Sequence, residues 1–356
     1  MIETEITKPK YEIPFSKMHG AGNDFIVFEN NKVKRLDGSE NEITLKELKE
    51  ITLKLSHRKL GVGFDQAIII NNNPKVLKSA HYEMIVINSD GEQASMCGNG
   101  VRCFSKYIID NCIESKSLNG TPKLVDGGDI EQKIETLAGL VITYPKITHH
   151  LNQYNLMMIK VNMNNALVLK TNQYKDDEFE NVLNKKTTNE KAYIYTIKDL
   201  SLPQCDQLEC VLVSMGNPHC VIFLERNIEL GNLSSTGVDS ASDLSMMKID
   251  EIATKLQKLP LFKDGCNVEF VSTNNSKLTN RVISRVFERG AGETLACGTG
   301  ACGVAVASIL MSYCTQDKEV TVSMPGGDLL IQWSSETGEV FKTGPACTVF
   351  NSNIKL

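Results

Sequence analysis

Two of the eleven cysteines in this 356-residue chain each open the same kind of tetrapeptide, Cys97-Gly98-Asn99-Gly100 and Cys297-Gly298-Thr299-Gly300. After the first, Val101, Phe104, Tyr107 and Ile108 recur at helical spacing; after the second, Gly303 to Tyr313 is apolar on nearly every side. Each cysteine is therefore expected just before a helix N-terminus. That end of a helix carries unpaired N–H groups and a partial positive charge, which favour a thiolate and lower a cysteine pKa toward neutrality. The glycines have no Cβ and let a ligand approach the backbone. A carboxylate lying between two such termini would be held by several N–H donors. The same donors would stabilise charge spreading onto it when the neighbouring C–H is deprotonated. With one thiol on each face of that carbon, one removes the proton and the other returns it, so the configuration inverts.

The spacing of other polar residues repeats with the cysteines. Gly22-Asn23-Asp24-Phe25 places Asn23 74 residues before Cys97, and Gly216-Asn217-Pro218-His219 places Asn217 80 residues before Cys297. Gln66 precedes Cys97 by 31 residues and Asn267 precedes Cys297 by 30, while Asn88 and Glu288 each precede their cysteine by nine. Four matches in one order indicate a duplicated domain, each half supplying polar side chains to something shared. Taken singly, these residues have plainer roles. Asn beside Gly or Pro is commonly a turn residue, His219 before a β-branched run is commonly structural, and Glu288-Arg289 at a strand end is commonly a solvated pair.

The elements that must position these residues are legible around them. Ile43 to Leu55 reads as a helix with Leu45, Leu48, Ile51 and Leu55 on one face. Gln66 opens a β-branched strand, and Tyr82 to Asn88 and Arg281 to Glu288 read as strands. The polar segments Thr171 to Lys191 and Gly231 to Asp250 read as surface loops. Most other thiols, such as Cys112, Cys205, Cys210 and Cys314, read as small buried hydrophobes, and Cys103 and Cys302 as helix packing.

Composition narrows the class. The chain has 41% hydrophobic and 23% charged residues and a net charge of −5, with no basic run to form a nucleic-acid footprint. Its length favours two domains. Met1 to Phe15 carries Glu3, Glu5 and Glu12 and no apolar core, so neither a secretory leader nor a transit peptide is expected there. The longest apolar stretch, Val304 to Met311, is too short to span a bilayer, and a cytoplasmic protein is expected. No CxxC pair occurs, so no structural zinc site is expected. Gly298-x-Gly300-x-x-Gly303 matches the dinucleotide pattern, but its preceding strand ends near Glu288, about ten residues early. A cysteine hydrolase with His219 as base leaves the second cysteine unexplained, and a non-catalytic amino-acid-binding protein stays open.

At the level of longer motifs the chain resembles the diaminopimelate epimerase family. The resemblance rests on Phe15-Ser16-Lys17-Met18-His19-Gly20-Ala21-Gly22-Asn23-Asp24-Phe25, Gly63-Phe64-Asp65-Gln66, Cys97 to Cys103, Ser214 to Cys220, and above all Glu288 to Cys302, with Pro325-Gly326-Gly327 near the end. It implies an α/β (α+β) fold of two pseudo-symmetric domains, each a β-barrel-like sheet around a central helix, with the site in the cleft between them. The halves would be 1–157 plus 345–356, carrying Cys97, and 158–344, carrying Cys297. The implied activity is interconversion of LL- and meso-diaminopimelate in lysine biosynthesis, with no cofactor and no metal. Cys97 would be proton donor and Cys297 acceptor in the LL direction. His219 and Glu288 would tune the thiols. Asn23, Gln66, Asn88, Asn217, Asn267, Glu288 and Arg289 would contact substrate, with backbone positions Gly98, Asn99, Gly298 and Thr299. The implied partner is a second copy of the chain, in a homodimer. Two departures stand out. Val161 to Ala166 replaces the family's usual Met-Gly and following Pro, and Phe350 stands where the family has a tyrosine at the dimer interface, so the hydroxyl contact is lost.

Overall fold

The turn that opens the first sheet is set by two residues. Ala21 and Gly22 have φ of 55° and 84°, the left-handed pair that a two-residue hairpin turn of this kind needs. They join β1 (Tyr11–Gly20) to β2 (Asn23–Glu29), with Gly20 opposite Asn23. The structure, a computed structural model, describes residues 9–71, 80–111, 123–124, 130–145, 155–168, 183–188, 192–202, 205–233, 241–263, 265–273 and 276–356. The chain divides into two compact units, Met1–Val161 with Gly344–Leu356, and Asn162–Thr343.

In the first unit β2 runs parallel to β3 (Gln66–Asn71), which is antiparallel to β4 (Tyr82–Asn88). β4 is parallel to β5 (Ile130–Thr136), which turns back into β6 (Gly139–Pro145). β6 pairs with β7 (Leu156–Asn165), β7 with the C-terminal strand Glu339–Lys355, and that strand with β1. Eight strands thus close into a ring. β3 is buried on both faces, as its unbroken Ala-Ile-Ile-Ile run requires. Ala67 and Ile69 join the cluster under α1 (Leu45–Ser56), while Ile68 reaches the start of α2 (Gly100–Asp110).

α1 begins at a capping box. Thr44 Oγ1 accepts from Glu47 N, and Glu47 Oε2 accepts from Thr44 N at 2.9 Å. Leu48, Ile51 and Leu55 are buried as expected, but Leu45 is 43% exposed. It is the first helical residue, and its side chain tilts back toward the N-terminus, past the turns that pack on the core.

The second unit repeats the strand order of the first. β8 (Leu208–Ser214) is antiparallel to β9 (Pro218–Phe223), β9 parallel to β10 (Asn267–Ser272), and β10 antiparallel to β11 (Arg281–Glu288). β11 is then parallel to β12 (Val320–Met324), which turns back into β13 (Gly327–Trp333). All six pack against α3 (Gly298–Leu310), whose side chains are buried almost throughout. The sequence reading places this helix at Gly303 to Tyr313. Its first turn begins directly after Cys297, whose sulfur caps it, in agreement with the expectation that this cysteine precedes a helix N-terminus, and it ends before Tyr313 because Ser312 takes a left-handed φ of 62°.

The two polar segments differ from the loops expected. Within the first, Leu183–Thr188 is a strand paired with Ala192–Ile197. At the end of the second, Ala241–Met246 and Ile249–Gln257 are helices, and Ile249, Ile252, Ala253 and Leu256 enter the core. The apolar period of that helix begins only where the polar stretch stops. The remainder of both segments lies largely outside the described residues, as does Cys112. Cys205, Cys210 and Cys314 are buried.

The capping box gives a first test. Thr44→Ala removes the acceptor for Glu47 N and is expected to cost about 1 kcal/mol. Urea unfolding should show a lower midpoint with an unchanged m-value.

Candidate active site

The site residues of the first unit gather at one end of its sheet. Asn23 begins β2, Gln66 begins β3 and Asn88 ends β4; Phe25 pairs with Gln66, and Gln66 with Asn88. Gln66 Nε2 donates to Asn88 Oδ1 at 2.8 Å. Cys97 Sγ accepts from Gly100 N at 3.3 Å, and the Cys97 thiol reaches Asn23 Oδ1 at 3.8 Å. The orientation of the Asn23 amide is fixed from behind, because its Nδ2 donates to Asp65 Oδ2 at 2.8 Å. A carboxylate can only accept, so Asn23 must turn its carbonyl to the sulfur. Gly98 O accepts from the fully buried Arg102, while the Asn99 side chain is buried with Oδ1 unpaired. A Cβ on Gly100 would fall 2.7 Å from Ile68 Cδ1, so a larger residue there would have to displace the end of that side chain.

Behind Asn23 lies a charge cluster that the sequence reading passed over. Arg58 bridges Asp24 at 2.8 Å and Asp65 at 2.7 Å, and Lys17 meets Asp24 from the other side. Burial alone would raise the Asp24 carboxyl, but hydrogen bonds from Arg58 and Lys17 outweigh it and hold the pKa well below the usual carboxylate range.

The second unit builds an analogous half-site. Cys297 is the N-cap residue of α3, and its sulfur accepts from Gly300 N at 3.3 Å, the geometry seen at Cys97. Thr299 Oγ1 lies 3.5 Å from the sulfur. Asn267 Nδ2 donates to Cys297 Sγ at 3.8 Å, and its orientation too is fixed, because Asn267 Oδ1 accepts from Arg289 N at 2.9 Å. Glu288 Oε1 accepts from Thr294 Oγ1, and the Arg289 side chain runs along the backbone of Gly265. Asn217 Oδ1 is 3.2 Å from His219 Nε2, and His219 Nδ1 is 2.6 Å from Glu269 Oε1. His219 is fully buried with both ring nitrogens engaged, which leaves it no reach as the base of a cysteine hydrolase.

The structure corrects one expectation. The sequence reading gives both thiols a lowered pKa. At Cys297 the helix-start amide and Thr299 do lower it, but burial first, then the charges of Glu288 and Glu269, raise it well above the ordinary thiol value. The helix terminus loses to desolvation plus two nearby carboxylates. Cys103 and Cys302 are fully buried, and burial raises the Cys103 thiol as well, in keeping with packing roles. Phe350 is 47% exposed and packs edge-on against Phe15, centroids 6.1 Å apart. Among the described residues no cluster of His, Cys, Asp and Glu is placed to hold a metal ion, and no helix is long and apolar enough to cross a membrane.

Known proteins share both sequence and fold. A diaminopimelate epimerase from Desulfitobacterium hafniense is 34% identical over 94% of this chain and 95% of its own. One from Leptospira biflexa is 34% identical over 97% of this chain and 100% of its own. At the level of fold, a probable proline racemase from Agrobacterium radiobacter superposes with TM-score 0.56 at 13% identity, covering 97% of this chain and 93% of that one. A hydroxyproline epimerase from Agrobacterium vitis, solved with bound trans-4-hydroxy-L-proline, gives 0.56 at 13%, covering 98% and 94%. The protein is thus an isomerase of the amino-acid racemase and epimerase class. The sequence model of diaminopimelate epimerase matches residues 15–158 and 211–349, and the chain belongs to that family.

The Asp24 cluster makes an acid-sensitivity test. With its folded pKa depressed, Asp24 contributes stability that is complete above its unfolded value, about 3.9, and fades as pH falls toward the folded value. Asp24→Asn should therefore lose about 1–3 kcal/mol at pH 7, the scale of hydrogen bonds to a charged group. The gap between wild type and variant should shrink toward pH 2. Urea unfolding across that range measures it, and a gap that stays constant with pH would contradict it.

Proposed function

We propose that the two half-sites serve opposite faces of one α-carbon of diaminopimelate and interconvert its LL and meso isomers with no cofactor. The observation that carries this is the unequal surroundings of two otherwise matched sulfurs. Cys97 faces the Asn23 carbonyl, an acceptor that favours a protonated thiol. Cys297 faces the Asn267 amide N–H, a donor that stabilises the thiolate once it forms; the helix-start N–H is common to both sulfurs. In the LL direction Cys297 takes the α-proton and Cys97 delivers one to the other face; the reverse reaction exchanges the roles. A buried thiolate whose pKa is raised is hard to form, but once formed it is a strong base toward a weakly acidic C–H. Backbone N–H groups at the starts of α2 and α3 receive the substrate carboxylate and the charge that spreads onto it.

A substrate with an amino-acid group at each end needs both signs of charge around it. Arg289 can grip the distal carboxylate with its planar fork, and Glu288 an ammonium. Asn23, Gln66, Asn88, Asn217 and Asn267 supply neutral donors and acceptors to the remaining groups. The activity places the protein in lysine biosynthesis. The homodimer implied by the family resemblance is supported by the exposed Val349 and Phe350.

Purified protein incubated with LL- or meso-diaminopimelate in deuterium oxide, with no cofactor added, is expected to epimerise it and to place deuterium at the α-carbon. An absolute requirement for pyridoxal phosphate, or no exchange with either isomer, would sink the reading. Cys97→Ala and Cys297→Ala should each abolish epimerisation, because inversion needs both faces served. Cys103→Ala and Cys302→Ala should keep substantial activity. A Cys302 variant as inactive as the Cys297 variant would show the acid–base residue to be misassigned.

A further inference from the structure

Glu269 sits in the middle of β10, a strand buried along its whole length, between Val268 and Phe270. Its carboxylate and the His219 ring are both fully buried and lie 2.6 Å apart. The parallel register of β9 and β10 sets this up, pairing His219 with Asn267 and Val221 with Glu269. The first turns of α3 carry glycine at the two points where the helix crosses the pair. A Cβ at Gly300 would fall 2.8 Å from Glu269 Oε1, and one at Gly303 would fall 3.2 Å from His219 Cβ. The Gly300 position is also 3.3 Å from Cys297 Sγ, so carboxylate and sulfur flank one glycine. On the far side of the imidazole, Nε2 meets Asn217, a half-buried residue at the site.

A carboxylate in this setting is costly. Burial raises its pKa, His219 opposes that rise, and Oε2 has no hydrogen-bond partner among the described residues. An apolar side chain would fill the space at less cost, so the consequence of having an acid here lies in its one strong contact. A carboxylate on one ring nitrogen fixes both the tautomer and the ring plane of a histidine, and with them what the other nitrogen presents.

We propose that Glu269 is a positioning residue of the Cys297 half-site, holding His219 through its Nδ1–H so that its Nε2–H donates to Asn217 Oδ1 and fixes that amide against the substrate. This rests on the reading of Asn217 as a substrate contact. Glu269 also adds its charge to the surroundings of Cys297. The groups that share this environment are Glu288 of β11, Cys297 of α3, the thiols Cys220 of β9 and Cys266 just before β10, and His219 as the opposing partner.

Two variants separate position from packing. Glu269→Gln keeps a carbonyl oxygen for the Nδ1 proton and removes the charge. It should retain kcat/KM within about three-fold at its optimum, while the rising limb of its pH–rate profile moves to lower pH, because one of two anions beside Cys297 is gone. Glu269→Leu has similar volume and no acceptor, and should lose about ten-fold or more in kcat/KM at every pH. A Leu variant within two-fold of wild type, or a Gln variant with an unmoved profile, overturns the proposal. If the Leu variant fails to fold, the Gln profile decides alone. The nitrogen-15 spectrum of His219 in the wild-type protein reads the contact with no substrate present. A protonated Nδ1 is expected, and a bare Nδ1 with a protonated Nε2 overturns the proposal. Wild-type protein inactive on diaminopimelate would instead sink the functional reading, and this spectrum would still decide the contact.

Discussion

In each unit a cysteine sulfur accepts a hydrogen bond of 3.3 Å from the amide of the glycine three residues on. This contact ties the thiol to the first turn of a helix, and most of what surrounds the sulfur follows from it. A side chain on the donor residue would press on Ile68 in one unit and on Glu269 in the other. The helix must be buried, because the sulfur and the amides beside it sit at the end of the strands that wrap it. Each sulfur also has an asparagine beside it, and the two asparagines differ in the end they offer. Asp65 turns the Asn23 carbonyl toward Cys97, and the Arg289 amide turns the Asn267 NH2 toward Cys297. In the proposed mechanism the acid and the base are thus distinguished by groups behind the asparagines rather than by the cysteines.

The duplicated strand order explains how two half-sites come to be alike. A parallel pair, an antiparallel neighbour, a second parallel pair and a hairpin follow one another as β2, β3, β4, β5 and β6, and again as β9, β10, β11, β12 and β13. Phe25 opposite Gln66 has its counterpart in His219 opposite Asn267, each two residues after the half's first asparagine. The same register therefore delivers a polar strand start beside each cysteine. The units diverge in the second layer, where the first has the exposed Arg58 cluster and the second the buried pair of His219 and Glu269.

The repeat was legible in the sequence because it rests on fixed spacings, and the strands around it because β-branched runs are bounded by polar residues. What was not legible depended on contacts between distant residues. Leu45 fits the helical period of α1 and misses the core because it stands at the helix start. The raised pKa of Cys297 needs Glu269 and Glu288 to be placed before it can be seen. Glu269 had one available signal, an acid inside the otherwise apolar strand Val268 to Val271. Asp65 stood inside the Gly63-Phe64-Asp65-Gln66 motif with no role attached, and Arg58 had no signal, since a polar residue near a turn is ordinary.

The proposal that Cys97 and Cys297 address a single carbon predicts that the two thiols can be cross-linked when no substrate separates them. Mild oxidation tests this directly. A disulfide needs Cα atoms about 4.4–6.8 Å apart, and its formation gives up two thiol protons and two electrons to the added oxidant. Peptide mapping after reversible inactivation by oxidised dithiothreitol should recover a Cys97–Cys297 cross-link, with activity restored by excess reductant and protected by bound diaminopimelate. Reversible inactivation with both thiols still free would contradict the shared site.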